Sequence, residues 1–317
     1  MKTKIWIALL AVYIVWGSTY LAIRFTVETI PPFLSAAIRF LVSGAILIFW
    51  RRTAGDAMPT ARQWRSTAIV GILLLLGGNG LVSFAEQRIA SGIAALIIGT
   101  VPLWLVLIEA IRPGGVRPTP LAVLGLLIGF GGIYLLVGPE DLHLASFQFD
   151  VLGIGTLLLA AFLWSLGSIY SRSADIPASS LMATGAEMLT GGVVILAFSG
   201  LIGEWKGFDF AAASTNSWIG LAYLITFGSM VGFVSYIWLL KNAPVSLVAT
   251  YAYVNPLVAV FLGAWLANET LNARILIAAL IIIGSVVLIN QTKRKPKGTQ
   301  TEQAQAAVVD VDIRMND

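Results

Sequence analysis

The sequence predicts an all-α polytopic membrane protein of ten transmembrane helices, built as two inverted five-helix repeats, and three observations lead there. Hydrophobic residues make up 58% of the 317 and charged residues only 11%. A soluble domain carries about 25% charged residues, so this chain needs lipid as its main solvent. Ten apolar runs lie near 5–23, 33–50, 66–85, 91–111, 119–137, 151–170, 180–202, 217–238, 245–267 and 273–290. Each approaches the length of roughly 20 residues that crosses a bilayer core, where a helix satisfies its own backbone. Finally, the chain repeats itself after about 150 residues. Five spans per copy force the second copy to enter the membrane from the opposite side, a pattern found in secondary transporters.

The first run, 5–23, follows Lys2 and Lys4. It is too long for the apolar core of a signal peptide and lacks a small-x-small cleavage site, so it reads as a retained span. The second run ends on Arg51 and Arg52, and the third starts after Arg62 and Arg65. The fourth contains Pro102, and the fifth carries Gly125-x-x-x-Gly129, a small-residue packing face. Residues 1–137 thus form the first repeat, and 138–150 an acidic outer linker with Glu140, Asp141 and Asp150. His143, in that linker, reads as a solvated loop residue. The second repeat, 151–290, holds Gly228-x-x-x-Gly232 in its third span and Pro256 in its fourth. From 291 to 317 the composition turns basic and then polar, and this tail is expected to be disordered in the cytoplasm. With the N-terminus inside, inner segments hold fourteen Lys and Arg against four on outer loops. Both termini are therefore expected to be cytoplasmic.

An offset of 148 superposes Trp16 on Trp164, Leu41 on Leu189 and Gly44 on Gly192. At 154 it pairs Gly78 with Gly232, Ala95 with Ala249 and Pro102 with Pro256, and at 153 Gly131 with Gly284. The drift falls in loops, which tolerate insertions.

Pro102 and Pro256 stand near mid-helix, where proline frees the carbonyl four residues back, Ile98 or Ala252. Thr100 and Asn255 flank these breaks and are placed to satisfy them. Being repeat-equivalent, the two prolines read either as packing kinks or as bends lining a solute cavity. Arg39 and Glu187 are the clearest ionisable residues within spans. A charge there costs at least about 2.5 kcal/mol, so each should face the interior, a cavity or a polar partner. Arg39 lies about 9 Å from the outer end of its span and Glu187 about 10 Å from the inner end of its own. They are thus expected to act separately, Arg39 toward an anionic group and Glu187 as a proton or cation site. Trp104, Tyr251 and Tyr253 lie near midplane depth and are aromatic candidates for the cavity, with lipid-facing packing as the alternative, while Trp16, Tyr20 and Trp164 belong to the same aromatic set, many of which should form interfacial belts. Asn79, within Gly77-Gly78-Asn79-Gly80, hydrogen-bonds between helices or contacts solute. Glu86, Glu109 and Glu269 lie near span ends beside Arg88, Arg112 and Arg274, where interfacial pairing is the default expectation.

Cysteine is absent, so disulfides and thiolate metal sites are excluded. No phosphate-binding loop, zinc motif or nucleophile elbow occurs, and no metal, cofactor, nucleic acid or enzymatic activity is expected.

The motifs resemble the EamA family of the drug/metabolite transporter superfamily. They are Trp16-Gly17-Ser18, Ala37-Ile38-Arg39-Phe40, Ala94-Ala95 with Pro102-Leu103, Val248-Ala249 with Asn255-Pro256-Leu257, and Glu269. The likeness runs to about Asn290, with one departure, Gly115 where the repeat would place a mate of Glu269. It implies a bacterial inner-membrane permease, with substrate between the halves near Trp16, Tyr20, Asn79, Pro102, Trp164, Tyr251 and Pro256. The expected function is secondary export of small organic metabolites, amino acids or drug-like solutes, by alternating access, with or without a proton gradient. A facilitative or import permease and a non-transporting scaffold are the alternatives. The expected partners are the solute and the bilayer, with the chain a monomer or homodimer.

Overall fold

The computed structural model describes residues 2–113, 118–137, 150–243, 248 and 251–292. His143, Gly115, the linker over 138–149 and the tail past 292 lie outside the described residues. Every regular element among the described residues is helical. They run as α1 (Lys2–Thr26), α2 (Pro32–Thr53), α3 (Ala61–Gly71, Ile72–Gly80 and Leu81–Ala85 in one rod), α4 (Ser91–Ile98) and α5 (Val101–Ile111). Next come α6 (Pro120–Val137), α7 (Val151–Ser171) and α8 (Ser180–Leu201). They are followed by α9 (Thr215–Tyr223, Leu224–Val231 and Gly232–Asn242), α10 (Tyr251–Leu266) and α11 (Ala273–Thr292). Seven stretches are long and apolar enough to cross a membrane, α4 and α5 counting together, and shorter apolar helices cover 120–136, 254–266 and 273–288.

Local chemistry sets the starts. Thr60 and Gln63 form a reciprocal capping box at α3, which starts the helix at Ala61, ahead of its apolar run. Asp150 caps α7, Ser179 caps α8 and Ser214 caps α9 through side-chain oxygens on backbone N–H groups.

Two features depart from regular helix. Between Ile98 and Val101 the chain breaks, and Pro102 opens the helix that follows, a position where its missing N–H costs nothing. Pro256 instead sits within the continuous α10, so the two equivalent prolines act differently. The middle segments of α3 and α9, Ile72–Gly80 and Leu224–Val231, are π-helical. Such wider turns occur mostly as short insertions and frequently at functional sites.

Contacts between the halves come in reciprocal pairs. Gly44 of α2 packs against Leu189 of α8, while Gly192 of α8 packs against Leu41 of α2. On the far side of the bundle Gly129 meets Ser285 and Gly132 meets Ile282, between α6 and α11. Gly78 carries the Trp164 ring and Gly232 the Trp16 ring. The Ser165 hydroxyl donates to the Val101 carbonyl at 3.2 Å, and Gly17 faces the Asn255 carbonyl. Without water to drive association, small residues let helix backbones close and gain dispersion contact.

The end of the bundle away from Lys2 is tied by carboxylates reaching between halves. Glu204 accepts from the Phe33 and Leu34 amides at 3.2 and 2.8 Å, capping α2. Glu269 accepts from the Ser91 amide and hydroxyl, both at 2.7 Å, and from the Gly92 amide at 3.0 Å, capping α4. These anions complement the positive ends of the two helices. At the other end Asp56 holds Arg51 through two bonds, 2.9 and 3.0 Å, and reaches the Ser179 hydroxyl.

Candidate solute-binding cavity

A cavity of about 330 Å³ lies between the halves. The sequence-predicted residues Trp16, Tyr20, Arg39, Asn79, Pro102, Trp164, Tyr251, Asn255 and Pro256 all line it. Ile98 and Ala252, whose carbonyls the two prolines release, line it as well. A volume of this size falls in the range of small-molecule sites.

The π-helical segments shape its walls. Trp16 Nε1 donates to the Gly228 carbonyl at 3.2 Å, within the π segment of α9. Its indole packs edge-on against Phe233 and Tyr251, each with ring centroids 5.3 Å away. Arg39 donates through Nε to the Ser229 hydroxyl at 3.0 Å, on the same segment, and its guanidinium lies 4.9 Å from the Phe40 ring centroid. No ion pair with Arg39 occurs among the described residues. Asn79, on the π segment of α3, donates to the Leu74 carbonyl at 3.4 Å. The glycines read as a packing pair, Gly228-x-x-x-Gly232, therefore seat functional side chains: Gly228 lies under Arg39 and Thr19, Gly232 under Trp16.

Polar groups beside the two prolines find partners. Thr100 donates to the Ile97 carbonyl. With its amide oriented to suit its neighbours, Asn255 donates to the Tyr251 carbonyl at 3.1 Å and the Tyr13 carbonyl at 3.3 Å. The charged residues lining the cavity are Arg39 and Arg172, and no carboxylate lines it among the described residues. Arg172, past the end of α7, faces Glu109 at 3.6 Å, and Glu109 also pairs with Arg112 at 3.2 Å.

Two expected site residues are placed otherwise, and a third lies outside the described side chains. Trp104 packs edge-on against Phe130 and Phe162, with centroids 5.6 and 5.7 Å away, and is absent from the cavity lining. Glu187 lies on α8 where its backbone carbonyl meets Gly71 of α3, also away from the lining. Tyr253 lies in α10, and its side chain is outside the described ones. Of the three expected pairings at span ends, Glu109 with Arg112 forms. Arg88 instead pairs with Asp150 at 2.7 Å, and Glu269 caps α4. Thr19, Phe233, Tyr236 and Arg172 line the cavity too. Thr19 falls one turn from Trp16 on the same helix face, so the spacing of Trp16 and Tyr20 was the signal for it.

Membrane-length helices wrapped around an interior cavity with aromatic and basic walls define a multi-pass membrane transporter. This chain belongs to the EamA-like transporter family, whose model matches residues 3–138 and 151–291. It is 37% identical over 287 residues to a protein of Escherichia coli (strain K12) described as "Uncharacterized inner membrane transporter YedA", covering 90% of each chain. A chloroplastic WAT1-related protein of Arabidopsis thaliana is 27% identical over 290 residues, covering 90% of this chain and 69% of that one. A solved crystal structure matches with a TM-score of 0.63 at 23% identity, covering 91% of this chain and 98% of the other. The chain is thus a multi-pass protein of the inner membrane.

Proposed function

We propose that the chain is a secondary active exporter of small organic solutes, working by alternating access between two inverted five-helix repeats, with both termini in the cytoplasm. The reciprocal contacts support the inverted arrangement. If residue i of one half meets residue j of the other, and their repeat mates meet in exchange, a twofold axis runs between them. Gly44 with Leu189 and Gly192 with Leu41 obey this rule, as do Trp164 on Gly78 and Trp16 on Gly232. Asp56 and Glu204, also 148 apart, sit at opposite ends, each beside the start of the partner half's second helix. That is the relation an axis in the membrane plane produces.

The observation that carries the solute class is Arg39, a buried guanidinium on the cavity wall with a hydroxyl and a ring for company but no carboxylate among the described residues. A desolvated cation favours an anionic partner strongly, because a buried charge left alone is costly. With Trp16, Trp164 and Tyr251 around it, the site suits a solute bearing a carboxylate and an apolar or planar body.

Everted vesicles from cells overproducing the chain test this. Accumulation of radiolabelled aromatic and aliphatic amino acids and of aromatic carboxylates is the readout. Uptake is expected for carboxylate-bearing solutes, is abolished by a protonophore, and is lost in Arg39→Ala while Arg39→Lys retains part. Equal uptake by Arg39→Ala, or uptake confined to cations, overturns the reading. Uptake insensitive to the protonophore favours a facilitative permease.

A further inference from the structure

Glu86 lies one residue past α3, at the end of the bundle opposite Lys2. It is fully buried, and neither carboxylate oxygen has a hydrogen-bond partner among the described residues. The basic groups nearby are engaged with other acceptors. Arg88 pairs with Asp150, the charged group at the start of α7. Arg24 of α1 spends its guanidinium on the Glu86 backbone carbonyl, at 2.6 Å. The remaining titratable neighbours are Tyr20 of α1 and Glu269, beyond α10. Burial and the Glu269 carboxylate hold the Glu86 carboxyl well above the ordinary range, against the pull of Arg24. A buried carboxylate without donors is far costlier than the neutral acid.

The position matters as much as the burial. Val82, one helical turn before Glu86, lines the outer part of the cavity together with Tyr20 and Ile23. Glu269, which Glu86 faces, is the carboxylate that docks the second repeat onto the start of α4. We propose that Glu86 is a proton-binding site whose occupancy holds the outer end of the cavity closed and so couples export to proton entry.

The proposal rests on the exporter reading above. With its proton on, Glu86 tolerates both its dry surroundings and a docked Glu269. With its proton off, two carboxylates repel at close range and the new ion requires water or the Arg24 guanidinium. Both effects part α1, α3 and α4 at the outer end. The cycle balances as antiport. A proton from outside binds the ionised, outward-open form and closes it, then leaves inward through the open cavity. The deprotonated protein carries solute out.

The chain has no cysteine, so single reporters are clean. Ile23→Cys marks the outer part of the cavity and Val248→Cys the opposite part. The full chain is reconstituted in liposomes and labelled with an impermeant maleimide from either face, from about pH 5 to about pH 9, the span that brackets a raised carboxyl. Rates are normalised to a surface cysteine so that thiol ionisation drops out. One coupled proton shifts the two-state ratio by up to about tenfold per pH unit. Outer labelling of Ile23→Cys is therefore expected to rise with pH and inner labelling of Val248→Cys to fall.

Glu86→Gln should flatten both curves at the outer-closed level, Glu86→Asp should retain a titration, and Glu187→Gln should leave both unchanged. A Glu86→Gln protein that still responds to pH overturns the proposal. So does a parent without pH response whose cysteines nevertheless label, and there the exporter reading stands. Failure of both cysteines to label from either face sinks the exporter reading itself. A chain of Glu86→Gln that is misfolded shows as aggregation in gel filtration; Glu86→Asp then carries the test, since a curve unmoved by that change also counts against the site.

Discussion

Gly44→Ala should open the crossing of α2 and α8 and lower the stability of the whole bundle. A Cβ at Gly44 would stand 2.6 Å from the Leu189 amide nitrogen and 2.9 Å from the Gly185 carbonyl oxygen. Both are backbone atoms of a packed helix and cannot rotate away, so the helices must separate by several tenths of an ångström. Overpacking of this kind costs about 1–3 kcal/mol. Each kcal/mol lowers Tm by roughly 2–4 °C in chains somewhat shorter than this one, so a loss of several degrees is expected. Gly192→Ala strikes the reciprocal point, with its Cβ 2.9 Å from the Leu41 side chain and 3.0 Å from the Leu41 amide nitrogen. Because both methyl groups separate the same two helices, the double variant should lose less than the sum. Neighbouring sites commonly couple by about 0.5–3 kcal/mol. Thermal unfolding in one detergent, followed by tryptophan fluorescence and gel filtration, reads all three variants. A Gly44→Ala protein as stable as the parent would refute the close approach, and a fully additive double variant would refute the shared crossing.

Gly232→Ala should push the Trp16 indole off its seat and into the cavity, because the new methyl group occupies the space of the indole nitrogen. Transport is expected to fall at least about tenfold, the effect of roughly 1.4 kcal/mol in binding, with Tm reduced by only a few degrees. Equal losses in transport and folded yield would count against a specific seat. Glu269→Gln keeps the size of the α4 cap but removes its charge, and its amide nitrogen cannot accept from the Gly92 N–H as the second carboxylate oxygen does. At about pH 5, where Glu86 carries its proton and repulsion between the two carboxyls plays no part, it should raise outer labelling of Ile23→Cys several-fold, since charged acceptors make hydrogen bonds about twice as strong as neutral ones; unchanged labelling there would show that this cap does not restrain the outer end. Arg51, with help from Ser179, holds the Asp56 carboxyl down to about 2 from its usual 3.8. A depressed acid stabilises the fold above its unfolded value and loses that contribution as pH falls through the folded one. The Arg51–Asp56 contact should therefore persist at pH 4 and fail only near pH 2. Carboxyl-labelled aspartate followed by NMR checks it, and a midpoint near the ordinary value would contradict it.

Hydropathy alone located the apolar helices, because in hydrocarbon an unsatisfied peptide group is costly enough to make every long apolar run a helix. The internal repeat also pointed to Pro102 and Pro256 as bends lining one cavity, and the resemblance to the family added Trp16 and Trp164. What the sequence left open was direction around each helix axis. Spans that are apolar on all sides give no stripe to separate the cavity face from lipid, so Trp104 and Glu187 looked as eligible as Tyr251. Tertiary packing decides which neighbours each meets: Phe130 and Phe162 flank Trp104. The π segments were likewise invisible, because an extra residue in a turn leaves no local composition mark and shows only in which carbonyl each amide reaches. Partner choice among charges was decided in three dimensions as well. Arg88, two residues from Glu86 in sequence, turns to Asp150, and that leaves the buried Glu86 carboxyl without a hydrogen-bond partner among the described residues. Local chemistry determines which segments enter the membrane; only packing decides what each side chain finds there.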